Sequence, residues 1–279
     1  MPTARQAYAL AQSGTTIYTI GGFAVGGATT TVQAYATTTD SWSTKASMPA
    51  ARSNGNEAAV INGTIYVAGG FNAAGALTRT LYAYAVATNS WTTKAQMPTV
   101  SGCGGSGVIS GKLYVFTGCT TSSNHTGLLH RYDPATNAWT TLPAAPNLHN
   151  SASISVVNNR LYVAGGTLAL NSATTAVDVY DPATNAWTSA TPLPVARYNS
   201  AAATLNGKLY VFGGQDTFGS FLPGDADVYD PATGIWSSLA ALPTARTDFS
   251  AAAVNGLLYT VGGLDQSLAI SSANEAYAP

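Results

Sequence analysis

The chain has 279 residues, 46% of them hydrophobic but only 8% charged, with a formal net charge of −1. An average soluble protein carries roughly 25% charged residues, so Ala, Thr, Ser, Gly and Asn must form most of this surface. The charge excludes the clustered Lys and Arg with which nucleic-acid binders displace counterions. No apolar run reaches the roughly 18 residues of a membrane-spanning helix, and residues 1–20 lack the basic start and apolar stretch of a signal peptide.

Taken in chain order, one plan recurs six times. Each unit opens on a proline (2, 49, 98, 146, 194, 243), and a glycine pair follows at Gly21-Gly22, Gly69-Gly70, Gly165-Gly166, Gly213-Gly214 and Gly262-Gly263. Thr117-Gly118 stands in for the pair in the third unit. Tyrosines at 35, 84, 132, 180, 229 and 277 keep the same step, and tryptophans at 42, 91, 139, 187 and 236 each follow their tyrosine by seven residues. The sixth unit has no such tryptophan. Self-similarity at a fixed period is the signature of repeat architectures.

Each unit reads as four strands. In "AAAVNGLLYTVGG" an Asn-Gly turn separates two apolar runs, a hairpin signal that gives strands a and b. A loop of about ten residues leads to strand c, such as "DADVYDP", and a tight turn leads to the tryptophan strand d. Small four-stranded meanders bury both faces only by packing on one another around an axis. The expectation is an all-β, six-bladed propeller in a single domain, with antiparallel blades over about 1–47, 48–96, 97–144, 145–192, 193–241 and 242–279. The last blade is expected to lack strand d and to leave an exposed edge, which invites pairing with another chain.

The glycine pair after strand b, the tyrosine on strand c and the tryptophan on strand d, at a period close to 50, resemble the kelch repeat over the whole chain. The resemblance implies a kelch-type propeller. It leaves function open, because such propellers include peptide-binding adaptors, copper oxidases and sialic-acid mutarotases. It also implies that the working face is the one carrying the b-to-c and d-to-a loops, here called the top.

Residues that do not follow the repeat are the candidates for function. Asp40, Asp133, Asp181 and Asp230 sit in c-to-d turns, while Asp178, Asp227 and Glu275 lie two residues before the strand c tyrosine. These seven read as structural, and His130, at the same strand position, reads as a solvated strand residue. Glu57, Asp216, Asp225, Asp248 and Asp265 remain near the top. Arg5, Arg52, Arg197 and Arg246 recur three residues after the opening proline, either as repeated packing groups or as ligand contacts. Two residues further on the identity varies, with Asn54, Asn199 and Asp248 among the six, which suggests tailoring to a ligand. Phe23, Phe71, Phe218 and Tyr198 could supply aromatic area beside them. Arg and Tyr dominate interface hot spots through planar donors and rigid rings.

Cys103 and Cys119 occur in the unit that departs most from the plan. A two-residue turn at Ser110-Gly111 sets Cys103 opposite Gly118, and a bulge in "GCGGSG" would correct the register enough for a disulfide. Such a bond implies an oxidising, extracellular compartment. The resemblance implies that a copper oxidase would need two histidines, tyrosines and a cysteine joined to a tyrosine, whereas His125 and His149 are the only top-face histidines and Cys103 is expected to pair with Cys119; two such ligands without a nearby carboxylate make a poor metal site. No cofactor and no metal are expected. The favoured reading is a non-catalytic, secreted recognition propeller that holds a protein segment or glycan on its top face, with self-association through the last blade's edge as a further partner mode. The alternative is a mutarotase- or lyase-like sugar enzyme using Glu57 with Arg52 as acid and base.

Overall fold

A computed structural model covers residues 1–279. It describes all of them except Ser122, 169–171, 218–219 and Pro223, together with the side chains of 55–57 and Thr217. Every regular element among the described residues is a β-strand.

The first five blades are four-stranded antiparallel sheets, and the sixth has three strands. Blade five is typical, with strands a to d at Ala201–Leu205, Lys208–Phe212, Ala226–Asp230 and Ile235–Ser238. Its a-to-b turn is Asn206-Gly207, both residues with positive φ, between the paired residues Leu205 and Lys208. That conformation suits the twist of a two-residue hairpin, and Asn and Gly adopt it at little cost. Blade six consists of Ser250–Val254, Leu257–Val261 and Asn274–Tyr277, and among the described residues the outer edge of its third strand carries no partner strand.

The apolar core is divided into six clusters, one between each pair of neighbouring blades. Ile20, Val32 and Ala34 of blade one meet Ile65, Val67 and Tyr84 of blade two, and Val163 and Tyr180 of blade four meet Tyr114 and Phe116 of blade three. The ring is closed by the same means, with Ile17 and Tyr35 of blade one against Ala252, Val254 and Tyr259 of blade six. Non-directional burial of apolar area therefore holds the whole circle.

The repeated Tyr and Trp are opposite one another on strands c and d, with ring centroids 5.0 to 5.3 Å apart. In the first four blades the tyrosine hydroxyl donates to the side chain of the turn residue five positions on, as in Tyr84 to Asn89 (2.6 Å) and Tyr180 to Asn185 (2.6 Å). In blades two to five the indole N–H donates to a carbonyl of the preceding blade, as in Trp91 to Ala46 and Trp236 to Thr191. One aromatic pair thus fastens a blade internally and to its neighbour.

The glycine pair has a steric cause. At Gly213, φ is 55° and an added Cβ would lie 2.6 Å from the Arg246 carbonyl oxygen, while the Gly214 N–H donates to that same oxygen at 3.0 Å. Each glycine pair grips a carbonyl of the following blade in this way, that of an arginine in four cases and of Ser101 for Gly69-Gly70, and blade six does so on Arg5, where the Gly263 N–H donates at 3.0 Å. Close approach of two backbones leaves no room for a side chain.

Two expectations are corrected. His130 is buried rather than solvated, and bonds Thr99 and Thr141 inside blade three. Cys103 and Cys119 are bonded, with Cα atoms 5.5 Å apart, but no register shift is involved. Gly102 faces Cys119 and Gly105 faces Phe116 in continuous register, and the left-handed φ of 55° at Cys103 brings the two sulfurs together.

Candidate functional site at the channel mouth

The inner strands of all six blades line a central channel of about 470 Å³. At its top the chain enters each strand a through one residue in the left-handed region: Ala7, Asn54, Cys103, Ser151, Asn199 and Asp248, with φ between 45° and 57°. Their backbones are joined around the mouth by five hydrogen bonds, with none between Asn54 and Cys103 among the described residues, and are here called a ring. The N–H of Asn54 donates to Ala7, Ser151 to Cys103, Asn199 to Ser151, Asp248 to Asn199, and Ala7 back to Asp248, at 2.7 to 3.0 Å. Asn and Asp tolerate this φ better than other side chains, which is a backbone reason for part of the variation at these positions.

Outside that ring lies a second one, in which the residue after each arginine position bridges to the residue after each glycine pair. The bridges are Gln6 to Phe23, Ser53 to Phe71, Gly102 to Cys119, Asn150 to Thr167, Tyr198 to Gln215 and Thr247 to Leu264. The mouth is therefore a rigid backbone scaffold carrying one variable side chain per blade on each ring. Phe23 is 44% exposed on it, Phe71 is half-buried and Asn54 is exposed.

The four arginines are not part of that surface. Arg5, Arg197 and Arg246 are 0% exposed and Arg52 is 5% exposed. Arg5 donates to the carbonyl of Gly21 (2.7 Å), to Thr19 Oγ1 (2.6 Å) and to Gln33 (3.0 Å), and burial lowers its pKa to about 10. Arg197 pairs with Asp227 at 2.5 Å, and Arg246 pairs with Glu275. Among the described residues Arg52 has neutral partners, the hydroxyls of Thr80 and Tyr82 and the Ala51 carbonyl, and it lies over the Tyr82 ring. In blade four His149 fills the same place, with Nδ1 2.6 Å from the Gly165 carbonyl and Nε2 3.0 Å from Asp178. The donor at the end of strand a and its partner on strand c vary together from blade to blade. That is a packing device, and it commits His149 within its blade. Among the described residues no group of three or more metal-ligating side chains occurs.

What faces the mouth on blades five and six is acidic and aromatic. Tyr198 is 9% exposed, and its pKa is raised by burial and then by the nearby Asp248 and Asp216 carboxylates. Asp248 keeps contact with channel solvent but is enclosed by protein on nearly every side, and desolvation pushes its carboxyl up to about 7. Its carboxylate accepts no hydrogen bond from any described residue. Asp265 closes its own loop by accepting from the Ser267 N–H and Oγ and the Ala269 N–H, which hold its pKa down. The side chains of Glu57 and Phe218 lie outside the described residues. The backbone of Glu57 pairs with Ala68.

The family model described as the Attractin/LZTR1 beta-propeller matches residues 1–218, and a Kelch motif model matches residues 196–243. The chain belongs to the Attractin/LZTR1 beta-propeller family. Among curated proteins none matches. A solved structure titled "Structure of YjhT" superposes with a TM-score of 0.87 at 19% identity, over 100% of this chain and 96% of that one, which shows a shared fold. In this Attractin/LZTR1 beta-propeller the kelch landmarks serve the scaffold. The side chains left to distinguish one mouth from another are those on the two rings. The six ring positions, Ala7 and Ser151 among them, stand out in the sequence as the variable place two residues after the arginine position, but nothing in an alanine or serine marks a left-handed backbone.

Proposed function

We propose that the chain is a recognition propeller that holds a protein segment or glycan on its top face, at the channel mouth over blades five, six and one. The observation that carries this reading is the unpartnered Asp248 carboxylate beside Tyr198 and Asp216, on a rigid double ring, in a chain where charge is scarce. Preorganised backbone lowers the ordering cost of binding. The disulfide at the mouth supports an oxidising, extracellular setting. The arginines expected as contacts are occupied inside the blades, so the side chains that support the reading are Phe23, Asn54, Phe71, Tyr198, Asn199 and Asp248.

A panel of peptides and neutral and acidic glycans, with crosslinking to locate any hit, tests the reading. Tyr198→Ala is expected to weaken binding roughly thirtyfold, the equivalent of about 2 kcal/mol at a hot spot. Lys208→Ala, on a bottom turn, is expected to change nothing. A ligand crosslinked to the bottom turns or outer strands would overturn the assignment. Among the described residues no observation favours the sugar-enzyme alternative, since the guanidinium of Arg52 is turned into its own blade.

A further inference from the structure

We propose that the bottom face carries a second site, a groove between blades three and four that seats the oxyanion group, phosphate or carboxylate, of a small molecule. It is separate from the top-face reading and does not rest on it.

Two departures from the repeat lead there. The residue before the strand c tyrosine is Ala34, Ala83, Val179, Val228 and Ala276 in five blades, but Arg131 in the third. In four of those five blades it packs into the apolar cluster at the seam with the next blade. Apolar burial explains those residues and does not explain a guanidinium. The second departure is on the opposite wall of the same seam. The a-to-b turns of blades two, three, five and six end on Gly63, Gly111, Gly207 and Gly256, all at positive φ, whereas blade four has Asn159 there at a φ of 60°. A carboxamide thus stands where the repeat keeps the backbone bare, although even Asn is less at ease than Gly in that conformation.

Both side chains line one groove of about 520 Å³, together with Lys112, Tyr114, Arg160 and Asp181. Its size is that of a small-molecule pocket. Two of its three cations have carboxylate partners, Lys112 with Asp133 at 2.6 Å and Arg160 with Asp181 at 2.9 Å. Arg131 has none among the described residues. It lies half-buried between Tyr114 and Thr140 in the sheet register, and its one hydrogen bond to a described residue is long, from Nη2 to Thr140 Oγ1 at 3.4 Å. Its Nε is enclosed without an acceptor. Asp133 feels the charge of Arg131 but is bonded to Lys112. The Asn159 side chain makes no hydrogen bond to any described residue.

An enclosed donor without an acceptor is costly, and a guanidinium satisfies two oxygens of one phosphate or carboxylate at once. An oxyanion entering the groove therefore meets the Arg131 fork and the Asn159 amide, in the field of Lys112 and Arg160. A cationic ligand would meet three positive charges against one negative. A neutral ligand would leave the Arg131 guanidinium without a counter-charge. The groove is larger than a bare ion, so the anion is the head group of a larger body that rests against Tyr114 and Pro182.

The test titrates the whole chain by calorimetry at low ionic strength with glycerol 3-phosphate, glycerate and glycerol, which differ chiefly in the head group. The two anions are expected to bind and glycerol is not, and the tighter anion identifies the preferred head group. Arg131→Ala installs the residue of blades one, two and six, so the melting midpoint is expected to hold while anion affinity falls at least about tenfold. Asn159→Gly, also the residue of the repeat, should weaken binding about threefold, the scale of one neutral hydrogen bond. Lys208→Ala removes the same charge from the bottom of blade five, outside the groove, and should leave affinity within about twofold. The proposal is overturned if neither anion binds, if glycerol binds as well as they do, or if Arg131→Ala weakens binding no more than Lys208→Ala. If Tyr198→Ala abolishes anion binding and Arg131→Ala does not, the anion belongs to the channel mouth and the groove falls.

Discussion

At the scale of single residues, the repeated landmarks are backbone and burial devices. Gly213→Ala would force an alanine into positive φ and set its Cβ against the Arg246 carbonyl. A loss of about 2 kcal/mol or more in urea unfolding is expected, whereas Gly14→Ala, with open space around it, should lose only the backbone part of that. The ion pair Arg197–Asp227 is inside the blade on both sides. Arg197→Met leaves a buried carboxylate alone and should cost about 3–5 kcal/mol, while Arg197→Met with Asp227→Leu should recover most of it. Asp248 behaves in the opposite sense from a salt-bridged acid. Its folded pKa of about 7 lies above the usual value near 4, so between those values the folded chain holds the extra proton. Stability therefore falls as pH rises from about 4 to about 7 and is level above it. Denaturation midpoints against pH should show that slope in the native chain and lose it in Asp248→Asn.

At the scale of the blade, each sheet is too small to bury its faces alone and is completed by its neighbours. The third blade adds a covalent tie, because Cys103 on the inner ring is bonded to Cys119 on the outer one, 16 residues apart in sequence. Closing a loop of that size stabilises by about 3 kcal/mol in the chain-entropy account. Cys103→Ala with Cys119→Ala, or reduction, should lower the unfolding free energy by about that amount and leave the far blades unchanged in hydrogen exchange. No loss of stability on reduction would show that the rings at blade three are held by their backbone bridges alone.

At the scale of the molecule, the circle is closed by apolar packing between blades six and one, and one outer edge is open. The third strand of blade six pairs only inward, on Leu257–Val261. Nearby, Trp42 has no carbonyl acceptor among the described residues, although four other tryptophans reach one on the preceding blade. An unpaired strand edge is a template for another strand. We expect concentration-dependent self-association through that edge, and sedimentation should show Ala276→Lys, an exposed position on the strand, reducing it. An equally associated variant would place the contact elsewhere.

The sequence alone determined the architecture, because the features that define a blade are local and repeated: Asn206-Gly207 for the hairpin, Tyr229 opposite Trp236, and a glycine pair wherever two backbones meet. Six copies of a pattern leave one way to bury the faces. The disulfide was legible for the same reason, since its two cysteines lie on strands joined by a short turn. The site was legible only in part. Arg197 and Asp227 are 30 residues apart, and nothing in either one shows that the guanidinium turns inward to that carboxylate rather than outward to a ligand. His130 likewise lost its solvent to Thr99 and Thr141, on other segments of the chain. Asp248 was visible as a departure from the repeat, but its isolation was not. That property belongs to the ring, where the other blades bring protein close around a carboxylate at the channel and, among the described residues, bring no hydrogen-bond donor to it.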